Sequence, residues 1–303
     1  MKGKTNPILF SLEEHPLANS LCRELNLIKG QYTKRLFPDG ESYLKIDSTV
    51  TDTPCILLAD LSRPNAKYLP LIFLLDTLRE LGAKSIGLVT PYLPYMRQDR
   101  RFVEGEAVTS RLFARTLSQH IDWLVTVDPH LHRYYSLNEI YNVPTQVVQG
   151  APALADWLQQ KHDVLLVGPD TESEQWVSEI SRYSGHPYVI GEKHRYGDFE
   201  VEVTLPDIAL HKHRTAVIID DVISSGETIL KCVEALQKQN IKDIQCAAIH
   251  GLFADDSDIR LLQSGLQKLF TSNTLPHTSN VFDVTLLLIE PILSSLQIQE
   301  LNK

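Results

Sequence analysis

Two aspartates, Asp220 and Asp221, close the apolar run TAVIIDD, and small residues follow: Ser224, Ser225 and Gly226 lead into Glu227, Thr228 and a helical pattern. A serine–glycine loop entering a helix can turn backbone N–H groups toward an anion, and the helix N-terminus adds partial positive charge at the same point. That arrangement suits a phosphate, which the two acids alone would repel. Carboxylates suit the hydroxyls of a sugar, because their oxygens accept hydrogen bonds from neighbouring O–H groups. Cradle and acids together therefore point to a phosphorylated sugar. The plainer reading is a capping box, Ser224-x-x-Glu227, which leaves both aspartates without a task.

Further candidates lie along the chain. Arg97, Gln98, Asp99, Arg100 and Arg101 place three arginines within five residues of a protein whose formal charge is −9. Guanidinium forks match phosphate oxygens; the alternative is a solvated charged turn. DWLVTVD leads to Asp128 and His130, and DVLLVGPD ends in Asp170, which either meets a ligand or caps the next helix together with Thr171. Lys193 and Arg195 stand two residues apart in a glycine-flanked stretch that can close over a site and surround a transferring group with positive charge. An exposed basic turn is the competing reading. Pro38-Asp39-Gly40 is a strong turn signal in its own right.

Strands and helices in alternation must position these residues. PILFS, PCILLAD, KSIGLVT, DWLVTVD, DVLLVGPD, TAVIIDD, IQCAAIHGLF and KLFTS read as strands. Amphipathic segments at 66–81, 109–119, 151–160 and 226–239 read as helices. The expected class is α/β, with mostly parallel sheets flanked by helices and ligands at the carboxyl ends of the strands. YNVPTQVVQGAPALADW reads as a junction, placing a boundary near residue 148.

The 303 residues are 43% hydrophobic and 22% charged, an ordinary globular balance with no overall positive field for nucleic acid or an anionic membrane. Four scattered cysteines suggest neither a disulfide framework nor a zinc site. The N-terminus has too short an apolar run for a signal peptide, and VTLLLIEPIL is broken by Glu290 and Pro291. A cytoplasmic protein is expected, without membrane or nucleic-acid partners.

TAVIIDDVISSGETIL resembles the phosphoribosyl-pyrophosphate motif of type I phosphoribosyltransferases and ribose-phosphate pyrophosphokinases. The second family is favoured by RLFPDGESYLKI, TPYLPYMRQDRRFVEGEAVTSRLFARTLS, LVTVDPHLHRYYSL, DVLLVGPDTESEQWVSEIS and VIGEKHRYGDFEVEV, which occur in that family's order from about residue 7 to 290. The resemblance implies two tandem phosphoribosyltransferase-like domains, an ATP-side domain at 1–148 and a ribose-5-phosphate-binding domain at 149–290. A C-terminal helix at 291–303 can then pack back on the first.

It implies ATP held by Phe37 stacked on the base, by Asp39 and Glu41 at its polar edge, and by Arg97, Gln98, Asp99 and Arg100 at the phosphates. His130 and Asp170 would serve magnesium, Asp170 alternatively the sugar, and His132 falls outside the match as a surface residue. Lys193 and Arg195 would be the catalytic cations of a mobile loop. Asp220 and Asp221 would take the ribose hydroxyls, and Ser224, Ser225, Gly226, Glu227 and Thr228 the 5-phosphate. Because the family's 35–46 segment reaches a neighbouring subunit's site, a homo-oligomer is implied.

The chain departs from the family at Thr171–Glu174, where small residues are usual, at Ser224, which removes an acid, and at Glu227, which adds one. A phosphoribosyltransferase and a catalytically silent regulatory relative are the two alternatives.

Overall fold

The structure, a computed structural model, describes residues 6–131, 133–195 and 201–301. The chain divides into two compact units, Met1–Gln149 with Thr285–Lys303, and Gly150–Val284.

The first unit opens with β1 (Ile8–Ser11), α1 (Leu17–Glu24) and β2 (Ile28–Lys29), then an antiparallel hairpin of β3 (Tyr32–Leu36) and β4 (Ser42–Ile46). It continues through β5 (Pro54–Leu58), α2 (Pro64–Glu80), β6 (Ser85–Val89), α3 (Thr109–Leu117), β7 (Trp123–Val127) and β8 (Thr145–Val148). Six strands form one parallel sheet in the order β2-β1-β5-β6-β7-β8. Every residue of β5, β6 and β7 is buried, as expected of parallel strands covered on both faces. Gly87 is required in β6 because a Cβ there would overlap the Trp123 ring. On α3, Ser110, Phe113, Ala114 and Leu117 are buried at helical spacing, so this face packs inward.

The second unit runs through α4 (Ala151–Gln159), β9 (Val164–Gly168), α5 (Glu174–Ser184), β10 (Tyr188–Ile190), β11 (Glu192–Arg195) and β12 (Val201–Thr204). It is completed by β13 (Thr215–Ile223), α6 (Glu227–Lys238), β14 (Ile244–Gly251), α7 (Ser257–Gln263), β15 (Lys268–Ser272) and β16 (Asn280–Phe282). Its parallel sheet has the order β10-β9-β13-β14-β15-β16, while β11 and β12 form a separate antiparallel pair. On α6, Ile229, Cys232, Val233 and Leu236 are buried. Burial of each of the three larger aliphatic side chains stabilises the helix position by roughly 1.5–3 kcal/mol, which fixes the helix mouth beside β13.

Four expectations change in detail. β13 does not stop at the aspartates but carries both and runs on to Ile223, pairing Val222 with His250. The junction segment contains β8, an edge strand masked in the sequence by Pro144 and Gly150. RLFPDGESYLKI is a hairpin rather than a turn alone. The last helix, α8 (Thr285–Leu301), begins well before residue 291 and passes through Pro291. Proline there removes one backbone donor, while buried Leu288 and Ile292 on either side hold the helix to its unit. Among the described residues, no helix is long and apolar enough to cross a membrane.

Candidate active site

In the second unit, β13 carries Asp220 and Asp221 near its end, just ahead of the loop that enters α6. Gly226 occupies the N-cap position with φ +76°, and no side chain caps the helix, so the capping box does not form. The loop is tied down through its carbonyls instead. Ile223 O accepts from Leu252 N at 2.9 Å and Phe253 N at 3.1 Å, Ser224 O from Ser257 Oγ at 2.6 Å, and Ser225 O from Arg260 Nη2 at 2.8 Å. With the carbonyls engaged and the helix start uncapped by side chains, the arrangement is chemically able to take an anion at the first-turn amides.

The conformation depends on glycine. Its left-handed φ disfavours any Cβ, and one added there would sit 3.1 Å from Leu261 Cδ1. Gly226→Ala is expected to destabilise the unit by about 1–2 kcal/mol, lowering the thermal midpoint by about 2–4 °C per kcal/mol. An unshifted melting curve would contradict this use of the left-handed region.

Lys193 lies on β11 opposite Val203, so the expected catalytic loop begins as a paired strand. Its Nζ donates to Thr228 Oγ1 at 3.1 Å and to Asp170 Oδ2 at 3.4 Å. Asp170 realises its capping reading, with Oδ1 accepting from Ser173 N at 3.2 Å, while Oδ2 takes the lysine. Asp220 completes the cluster. Burial first, then the charge of Asp221 and a side-chain hydrogen bond with it, and then Asp170, hold the Asp220 carboxyl well above the usual range. In the free protein, the pair therefore tends to keep a proton between its two carboxyls.

Glu227 is exposed beside the cradle, with Arg260 Nη1 3.9 Å from its Oε1. Arg260 was not legible in the sequence, because it acts on a loop 35 residues away. Arg195 ends β11; its side chain, residues 196–200 of the same segment and His132 lie outside the described residues.

In the first unit, Phe37, Asp39 and Glu41 sit on the exposed tip of the β3–β4 hairpin. Phe37 N donates to Glu41 O at 2.8 Å, and Glu41 N to Asp39 Oδ1 at 3.2 Å, so the turn reading is realised with these side chains at its apex. The Arg35 guanidinium lies 4.6 Å from the Phe37 ring centroid and 4.3 Å from that of Tyr43.

The arginine loop follows β6. Arg97, Arg100 and Arg101 are exposed and Gln98 is half-buried, whereas Asp99 is buried and its carboxylate faces Arg133 rather than a ligand surface. Arg101 Nε is committed to Glu106 O at 2.9 Å. Asp128 and His130 follow β7 with φ of +35° and +56°, a conformation that non-glycine residues rarely adopt.

Among the described residues, no group of three or more His, Cys, Asp or Glu side chains could hold a metal ion by itself. One or two carboxylates with the remaining positions left to phosphate and water is the usual magnesium arrangement, and the acids of the second unit fit that case.

Two six-stranded parallel sheets covered by helices, one carrying an acid pair and an anion loop at its strand ends, define a two-domain α/β protein of the phosphoribosyltransferase-like class. Residues 7–120 match the N-terminal domain of ribose phosphate pyrophosphokinase, and residues 136–288 the phosphoribosyl transferase domain. The ribose-phosphate pyrophosphokinases of Methanopyrus kandleri and Saccharolobus solfataricus are each 31% identical to the chain, over 89% of it and 92% of their own length. The crystal structure of phosphoribosylpyrophosphate synthetase from Mycobacterium smegmatis superimposes with a TM-score of 0.83 at 26% identity, covering 97% of this chain and 99% of that one. The chain belongs to the ribose-phosphate pyrophosphokinase family.

Proposed function

We propose that the protein transfers the pyrophosphoryl group of ATP to the anomeric hydroxyl of ribose 5-phosphate, giving phosphoribosyl pyrophosphate and AMP. The observation that carries this reading is the second-unit cluster in a member of this family: a cation, Lys193, within hydrogen-bonding distance of both Thr228 at the anion loop and an acid. In this reaction the anomeric oxygen bonds to the β-phosphorus, the bond from that phosphorus to the α–β bridging oxygen breaks, and the hydroxyl proton is lost. Little covalent work falls to the protein; it aligns the two substrates and stabilises charge.

The 5-phosphate rests on the amides of Ser224, Ser225, Gly226, Glu227 and Thr228. Asp220 and Asp221 accept from the ribose hydroxyls, and their shared proton supplies one donor as well. Lys193, with Arg195, provides positive charge for the transferring group; on substrate arrival it exchanges contacts with Asp170 and Thr228 for phosphate oxygens. In the first unit, Arg97, Gln98 and Arg100 receive the ATP phosphates, and Phe37 with Asp39 and Glu41 the base. His130 in the first unit and Asp170 in the second are the residues that would each serve magnesium in their own unit, and the ion would supply charge neutralisation. Cytoplasmic location and a homo-oligomer, with the hairpin tip completing a neighbour's site, belong to the same proposal.

Incubation with ATP, magnesium and ribose 5-phosphate, with and without inorganic phosphate, is expected to yield AMP only when the sugar phosphate is present. No AMP from that mixture, with base-dependent release of pyrophosphate when phosphoribosyl pyrophosphate and a nucleobase are supplied instead, would replace this reading with a phosphoribosyltransferase.

A further inference from the structure

The middle of the arginine loop is fastened at two points by consecutive residues of the segment that follows β7. Arg133 Nη1 donates to both carboxylate oxygens of Asp99, at 2.8 and 2.9 Å. The Asp99 side chain is only 3% exposed. Tyr134, itself buried, donates its hydroxyl proton to Asp99 O at 3.0 Å. A phenol has one proton to give, so the same oxygen accepts from Ser110 Oγ at 3.1 Å and Arg111 Nε at 3.3 Å, both on α3. The carbonyl of Gln98 also accepts from Ser110 N at 3.3 Å. The exposed Phe102 ring is met by two guanidinium groups, Arg100 at 4.7 Å and Arg133 at 5.4 Å from its centroid.

We infer that Arg133 is a positioning residue for the polyphosphate of ATP, acting through Asp99 with Tyr134 as its second anchor. This rests on the function proposed above and reassigns Asp99 from a ligand contact to an internal strut. Two physical consequences follow from the pairing. With its carboxylate held inside, Asp99 turns the backbone so that its neighbours on both sides, Arg97 and Arg100, stay at the surface. The pairing also keeps a negative charge away from the place where phosphates bind. Without Arg133 the buried carboxylate loses its partner, a strongly unfavourable state. It relieves this by rotating to solvent, where it stands among the arginines and competes with the nucleotide for them. Arg133 also ties the loop to the strand-end segment that carries His130, so the two nucleotide-side elements keep a common frame.

The test compares parent and variants in ATP binding, measured by calorimetry without sugar phosphate, and in steady-state kinetics. AMP formation by the parent examines the proposed function separately, so failure of that reading and failure of the strut are distinguishable. Arg133→Ala is expected to weaken ATP binding and raise KM for ATP by about tenfold or more, with KM for ribose 5-phosphate within about twofold of the parent. Arg133→Lys keeps the charge and is expected to recover part of the loss. The pair Asp99→Asn with Arg133→Ala removes the stray carboxylate and is expected to bind ATP better than Arg133→Ala alone, an interaction that a purely additive structural role would not produce. If Arg133→Ala does not fold, Arg133→Lys and Asp99→Asn carry the same comparison, both predicted to raise KM for ATP selectively. Unchanged ATP affinity in folded variants, or equal loss for both substrates, would overturn the inference.

Discussion

Lys193→Ala is expected to lower kcat for AMP formation by about 10²–10³-fold, the range found when one preorganised charge-stabilising group is removed. KM for both substrates should change by only a few-fold. The split follows from where the ammonium sits. In the free protein it is already satisfied by Thr228 Oγ1 and Asp170 Oδ2. Exchanging those partners for a ground-state phosphate therefore yields little net affinity. Negative charge concentrates on the transferring group and leaving oxygen only as the bond to AMP breaks, and there a half-buried ammonium is worth most.

Lys193→Arg preserves the charge but replaces a compact point donor by a planar fork. It should recover activity only in part, because β11 fixes where the side chain starts opposite Val203. Single-turnover kinetics would check the assignment directly, since the loss belongs to the chemical step. Alanine at 193 turning over within threefold of the parent would remove Lys193 from catalysis. A parent that binds both substrates yet forms no AMP would support the silent regulatory relative.

Strands β5, β6, β7 and β9 were legible because unbroken apolar runs have one explanation in an alternating chain, burial on both sheet faces. The helices were legible through spacing, as with Ile229, Val233 and Leu236 on α6. Edge elements were harder. Half-exposed β8 and the β3–β4 hairpin lack a continuous apolar signal, and the turn at Pro38-Asp39-Gly40 spoke louder than its flanks.

Local alternatives were decided by backbone detail that no residue pattern encodes. Ser224 and Glu227 have capping-box spacing, yet the left-handed Gly226 takes the cap position and no side chain caps the helix. Asp170 caps the next helix with one oxygen and still has the second free to meet Lys193, because a carboxylate has two oxygens. What the sequence hid altogether were partners across space. Arg133 meets Asp99 over 34 residues and Arg260 meets Ser225 over 35, and neither sits in a recognisable local pattern.

Asp220→Asn is expected to move stability and function in opposite directions. The Asp220 carboxyl is held well above the ordinary range by burial, by Asp221 and by Asp170, whereas in the unfolded chain it titrates near about 3.9. Between those two values the unfolded chain has released the proton that the folded one keeps. The unfolded state then binds fewer protons, so stability falls as pH rises. Below both values the group makes no difference, and above the folded value the full penalty persists.

Asparagine removes the ionisation, so the variant should melt higher than the parent at pH 7 to 8, by about 2–4 °C for each kcal/mol relieved. The difference should shrink as pH falls through the window and vanish below about 3.9. Sugar binding should suffer at the same time. With its proton shared with Asp221, the Asp220 carboxyl can present an acceptor oxygen to the sugar, whereas asparagine fixes an NH2 donor on one side, so a ribose hydroxyl faces an N–H donor instead of an acceptor. A mismatch of that kind in a buried site costs about 1–3 kcal/mol, which predicts a KM for ribose 5-phosphate raised by about 10–100-fold with ATP binding unaltered. Melting curves across pH together with the two KM values check both halves. A variant less stable than the parent at neutral pH, with unchanged KM for the sugar phosphate, would make Asp220 a structural acid and detach it from the ribose.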